Sequence, residues 1–106
     1  MHINDLIDEL KYKHRLHSDR KVAAFLELSP SALHKIIHGG GMSDETALKI
    51  ANALDRQPLE IIAISSADTA KSNDVKKFWS DLAKQVGAAA SFALFSLASV
   101  QGYILC

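Results

Sequence analysis

Short polar caps followed by apolar residues at three- and four-residue spacing recur along almost the whole chain. That is the period of an amphipathic helix, and no convincing strand alternation interrupts it. Ile3, Leu6, Ile7 and Leu10 fall on one face of a first helix, with Asn4 as its expected N-cap. Ser18 caps a second helix whose apolar contacts are Val22, Ala23, Phe25 and Leu26. Glu27-Leu28-Ser29 reads as a tight turn. Ser29-Pro30 then starts a third helix, because proline at the first helical position forfeits no hydrogen bond. Leu33, Ile36 and Ile37 give that helix its buried face, and Gly39-Gly40-Gly41 ends it. Ser43 caps a fourth helix with Asp44 and Glu45 in its first turn, where the helix dipole favours negative charge. Its stripe is Ala47, Leu48, Ile50, Ala51 and Leu54. Pro58 opens a fifth helix burying Leu59, Ile61, Ile62 and Ile64.

The pattern predicts an all-α chain in three parts. Residues 1–66 form a five-helix domain, 67–73 a linker, and 74–106 an apolar helical segment. Residues 65–72 carry no apolar stripe and read as linker or frayed helix. With 106 residues there is room for one small domain and an appendage, and 48% hydrophobic residues suffice for a core. A single cysteine, Cys106, excludes an intramolecular disulfide framework and a multi-cysteine zinc site. The N-terminal Met1-His2-Ile3-Asn4-Asp5 is polar and acidic, unlike a secretory signal, so a cytoplasmic location is expected.

The formal net charge is zero, which argues against a uniformly basic nucleic-acid coat. The zero hides a block. Between positions 11 and 38, Lys11, Lys13, Arg15, Arg20, Lys21 and Lys35 are opposed only by Asp19 and Glu27. From 39 to 66 the balance reverses, with Asp44, Glu45, Asp55 and Glu60 against Lys49 and Arg56. On charge alone such a block is as often a solvated face as a binding surface.

Two short helices joined by a tight turn are the pattern of a helix-turn-helix. Its second helix must project far enough to enter a major groove about 12 Å wide. Small Ala23 allows the helices to cross closely, and Leu28 and Leu33 fill the space beneath the turn. The run Val22-Ala23-Ala24-Phe25-Leu26-Glu27-Leu28-Ser29-Pro30-Ser31-Ala32-Leu33-His34-Lys35-Ile36-Ile37-His38-Gly39 resembles the DNA-binding motif of the lambda-repressor-like (Cro/XRE-type) family. Ser43-Asp44-Glu45-Thr46-Ala47-Leu48-Lys49-Ile50-Ala51-Asn52-Ala53-Leu54 resembles that family's fourth helix, and the likeness spans residues 3–66. The layout is also similar to small phage and prophage repressors. One position departs: the family usually has glycine in the turn where this chain has Glu27. A positive φ there would cost about 1 kcal/mol.

The resemblance implies a sequence-specific transcriptional regulator, acting as a repressor that binds double-stranded operator DNA as a homodimer. Bases would be read from Pro30, Ser31, Ala32, His34 and Lys35. Asp19 and Arg20 would touch phosphate or support the reading residues. His38 and Gly40, in the loop region after the third helix, would meet the backbone. Lys11, Lys13 and Arg15 either extend the phosphate track or are simply solvated. An interaction module of antitoxin or antirepressor type is the alternative function. His34 and His38, four apart, also have zinc-ligand spacing, but no carboxylate or cysteine lies nearby in sequence. Contact with DNA is the reading of that pair, and no metal, cofactor or small-molecule ligand is expected. No nucleophile–base pattern or P-loop is present, so no enzymatic activity is expected.

In the tail, Asn73 is the expected cap of a sixth helix with Val75, Phe78, Trp79, Leu82 and Val86 at helical spacing. From Gly87 onward no residue is charged, and Phe92, Phe95 and Leu97 are among its larger apolar residues. A helix apolar all round is either buried or in a membrane. One reading is a dimer core, placing two reading helices one DNA turn apart, about 34 Å. The other is a membrane anchor over 87–105, since nineteen residues at about 1.5 Å each approach the ~30 Å hydrocarbon core. It would leave the DNA-binding part on the cytoplasmic side of the inner membrane.

Overall fold

The computed structural model describes residues 1–88, and every regular element among them is an α-helix. In order these are α1 (Ile3–His14), α2 (Asp19–Phe25), α3 (Pro30–Ile37), α4 (Asp44–Leu54) and α5 (Pro58–Thr69). A further helix, α6, occupies 73–88.

Three serines perform the capping that their positions predict. Ser18 accepts from the Lys21 N–H at 3.2 Å, Ser29 from Ala32 at 3.1 Å and Ser43 from Thr46 at 3.2 Å. Each satisfies a first-turn donor that the helix itself leaves open. At α1 the expectation fails: His2, not Asn4, is the N-cap. Its N–H donates to the Asp5 carboxylate at 2.7 Å. The Ile3 N–H donates to Asp68 at 2.8 Å, and the His2 ring pairs with the same carboxylate at 2.8 Å. The start of α1 is therefore held by α5, a partner that local sequence does not reveal.

The core is built around α1, which packs on α2, α3, α4 and α5. Leu6 and Leu10 of α1, Val22 and Leu26 around the end of α2, Leu33 of α3, Ile50 of α4 and Ile61 of α5 are fully buried. Three residues expected in the core lie outside it: Phe25 is 42% exposed, Leu48 48% and Leu59 49%. Phe25 ends a helix of only seven residues and rests against the His14 ring, with centroids 4.7 Å apart. Leu48 stands one residue round from Ala47, so its side chain is turned away from the buried stripe. At Leu59 the inward place is taken by the next residue, Glu60.

Glu60 is 9% exposed, and Arg56 compensates it. The guanidinium donates to both Glu60 oxygens at 3.2 and 3.1 Å and to Glu9 of α1 at 3.0 Å. Burial works against the arginine's charge, but these hydrogen bonds outweigh it and hold the group above its ordinary pKa. At the end of α4, Asp55 adopts a left-handed conformation, φ 55°, and meets Lys13 at 2.7 Å. The hydrogen bond from Lys13, then its charge, keep the Asp55 carboxyl below its usual range. Both side chains are well exposed, so the pair adds little to stability.

The expected linker over 67–73 is mostly helix instead. α5 continues to Thr69 with Ser65 and Ala67 buried, and only residues 70–72 separate it from α6. Small residues on that face replace a broad apolar stripe, which is why the periodicity was weak. Ser72 rather than Asn73 caps α6, accepting from the Val75 N–H at 3.2 Å. Ala83 of α6 is buried, and Trp79 and Leu82 pack against the core.

The α2–α3 turn contains the one departure noted above. Glu27 has φ 60°, a conformation in which a Cβ is strained. Lys49 of α4 braces it, donating to the Leu26 carbonyl at 3.3 Å and to Glu27 Oε2 at 3.2 Å. Glu27→Gly relieves the strain and loses only an exposed ion pair, so thermal unfolding should show a gain of about 0.5–1 kcal/mol. A loss would mean that the brace outweighs the strain.

Candidate nucleic-acid interface

The eight residues of α3 divide sharply between two sides. Leu33 and Ile36 are buried, and Ala32 and Ile37 are half-buried. Pro30, Ser31, His34 and Lys35 are exposed, as is His38 at the helix end. Periodicity explains the division. Positions 33 and 36 point to the core, so 31, 34, 35 and 38 must point away from it.

A shallow groove runs between this helix and the start of α2, lined by Asp19, Arg20, Pro30, Leu33, His34 and Ile37. The fold thus brings together Asp19 and Arg20 with the residues expected at the head of α3. Asp19 does not face the groove uncompensated, because Lys11 pairs with it at 2.7 Å. Among the described residues no ion pair engages Arg15, Arg20, Lys21 or Lys35. Lys11 and Lys13 are each committed to a carboxylate, which weakens their claim to a phosphate track. Lys21, in the first turn of α2, is exposed and makes no ion pair; the sequence placed it in the basic block without a role at the site, a role that counting forward from the Ser18 cap would have given it.

The end of α3 is closed tightly. His38 Nδ1 lies 2.8 Å from the His34 carbonyl. A carbonyl only accepts, so Nδ1 carries the proton and Nε2 is left uncommitted. The two imidazole rings are 4.0 Å apart, tilted by 34°. Gly39 has φ 80°, and the Gly40 N–H donates to the Lys35 carbonyl at 2.8 Å. A Cβ on Gly40 would lie 2.8 Å from that same oxygen, so the loop folds back where only glycine fits.

The apolar residues expected to serve oligomerisation or a membrane separate. Phe78 is 59% exposed, with Val75 beside it at 47%. Trp79, Leu82 and Val86 are half-buried, the first two against the chain's own core. Phe92, Phe95 and Leu97 lie outside the described residues, as does nearly all of the 87–105 segment. Among the described residues no helix is long and apolar enough to cross a membrane. Nor do three or more His, Cys, Asp or Glu side chains converge there as a metal cluster. No protein-family model matches the chain, and no curated protein or solved structure does.

Proposed function

We propose that this chain is a sequence-specific DNA-binding regulator of helix-turn-helix type, with α3 as the helix that enters the major groove. The observation that carries the reading is the outer side of α3. It is solvent-exposed, presents Ser31, His34, Lys35 and His38, and has no acidic residue of its own. The buried Leu33 and Ile36 hold it rigidly to the core. Ser31 and His34 suit base edges or phosphate, Lys35 suits guanine acceptors, and Arg20 with Lys21 suits the flanking phosphates. The exposed Val75 and Phe78 on α6 favour a homodimer, which would address a twofold operator with half-sites one DNA turn apart. A repressor that acts by occupying promoter DNA needs nothing further.

The test is binding to duplexes selected from a random-sequence pool, followed by fluorescence anisotropy at several salt concentrations. Affinity should fall as salt rises, because neutralised phosphates release counterions. Lys35→Ala should weaken specific binding by about 1–3 kcal/mol, while Lys76→Ala on α6 leaves it unchanged. Failure to enrich any sequence, together with no effect of Lys35→Ala, would remove α3 from the role.

A further inference from the structure

His34 and His38 stand one helical turn apart on the exposed side of α3, with ring centroids 4.0 Å apart. We propose that they form a two-imidazole site for a divalent transition-metal ion of the zinc or nickel kind. Spacing alone did not justify such a site. The structure adds the exposure of both rings on one side of the helix and the commitment of one nitrogen. His38 Nδ1 is used up on the His34 carbonyl at 2.8 Å, which leaves Nε2 as the only lone pair of that ring. A metal-bound histidine takes this arrangement, its second nitrogen fixed by a carbonyl so that tautomer and ring orientation are set before the ion arrives. The His34 ring makes no hydrogen bond to another described residue, so its donor nitrogen is also available.

Neutral imidazole suits Zn²⁺, Ni²⁺ and Cu²⁺, and the exposed His34 ring, held by no hydrogen bond to another described residue, can turn from its stacked position to bring a nitrogen to an ion on His38 Nε2. Solvent completes the coordination shell, because no third side chain converges there among the described residues. Lys35 carries a positive charge on the same helix, but it is long and exposed and can swing away. The ion would occupy the nitrogens with which α3 meets base edges under the proposed function. Metal and DNA would then compete for one face. Only this last step rests on the DNA-binding reading; the metal site itself does not.

The test is calorimetric titration of the full chain with Ni²⁺ and, separately, Zn²⁺ in a buffer that does not bind metal. Saturable one-to-one binding is expected. His34→Ala should weaken it roughly tenfold or more, since a chelate becomes a single ligand. That variant leaves the helix-closing bond of His38 in place, so its fold is preserved. His2→Ala should change nothing. Binding that survives His34→Ala and disappears in His2→Ala overturns the proposal, as does the absence of saturable binding. A parallel arm measures the selected DNA with and without saturating metal. Weakened DNA binding on adding metal to the unaltered chain is the expected result, with a smaller change in His34→Ala relative to that variant's own metal-free affinity. Metal binding at the pair with unchanged DNA affinity would overturn competition and the placing of DNA on this face, and would leave the metal site standing.

Discussion

Leu33→Ala should cost about 2–5 kcal/mol of folding stability, which can be most of what a domain of this size possesses. Leu33 is 1% exposed and anchors the inner face of α3 against the common core. Removing its methyl groups leaves a cavity in a close-packed core that small shifts of the surrounding side chains cannot fill. Chemical denaturation should show the midpoint falling sharply with little change in slope. Under the proposed function, DNA affinity should fall with the folded fraction and recover on cooling or with a stabilising osmolyte. That pattern would separate it from Lys35→Ala, which on the same reading should weaken binding without moving the unfolding midpoint. A loss below about 1 kcal/mol would mean that α3 does not depend on this anchor.

The second large effect is expected at Arg56. Arg56→Met leaves Glu60, 9% exposed, without the cation that faces both of its oxygens. Breaking a buried ion pair from one side typically costs about 3–5 kcal/mol. The arginine side chain here keeps 25% of its surface in solvent and Glu9 keeps 36%, which lowers the figure to about 2–4 kcal/mol. Replacing both partners, Arg56→Met with Glu60→Met, should restore much of the loss, since no carboxylate is then stranded. A double variant as unstable as Arg56→Met would assign the loss to packing rather than charge. The effect should reach α6 as well. A Cβ at Gly87 would come within 2.6 Å of Glu60 Oε2, so the sixth helix approaches the second partner of this cluster closely.

Much of the fold was legible because the signals were local. Ser18, Ser29 and Ser43 each accept from a backbone N–H within their own first turn, which short sequence windows report directly. The split of α3 into Leu33 and Ile36 inside and His34 and Lys35 outside follows from helical period alone. What escaped were contacts between residues far apart in the chain. Asp68, in a stretch expected to be linker, holds the start of α1 through Ile3 and His2. Arg56 reaches back across 47 positions to Glu9, and Lys49 reaches 22 positions to the strained Glu27. Val75 and Phe78 were grouped with Trp79, Leu82 and Val86, yet packing separates them. A stripe of apolar residues does not say which of its edges the core will take.

Sequence alone placed the first five helices, apart from the start of α1 and the end of α5, and the outward set on α3, because caps and periodicity act within a few residues. Tertiary structure alone decided that Asp19 and Arg20 share a groove with His34 and that Lys11 and Lys13 are already paired. Those facts depend on how helices cross and on which charges meet when they do. Crossing geometry is set by the packing of the whole core at once, and no single stretch of residues contains it.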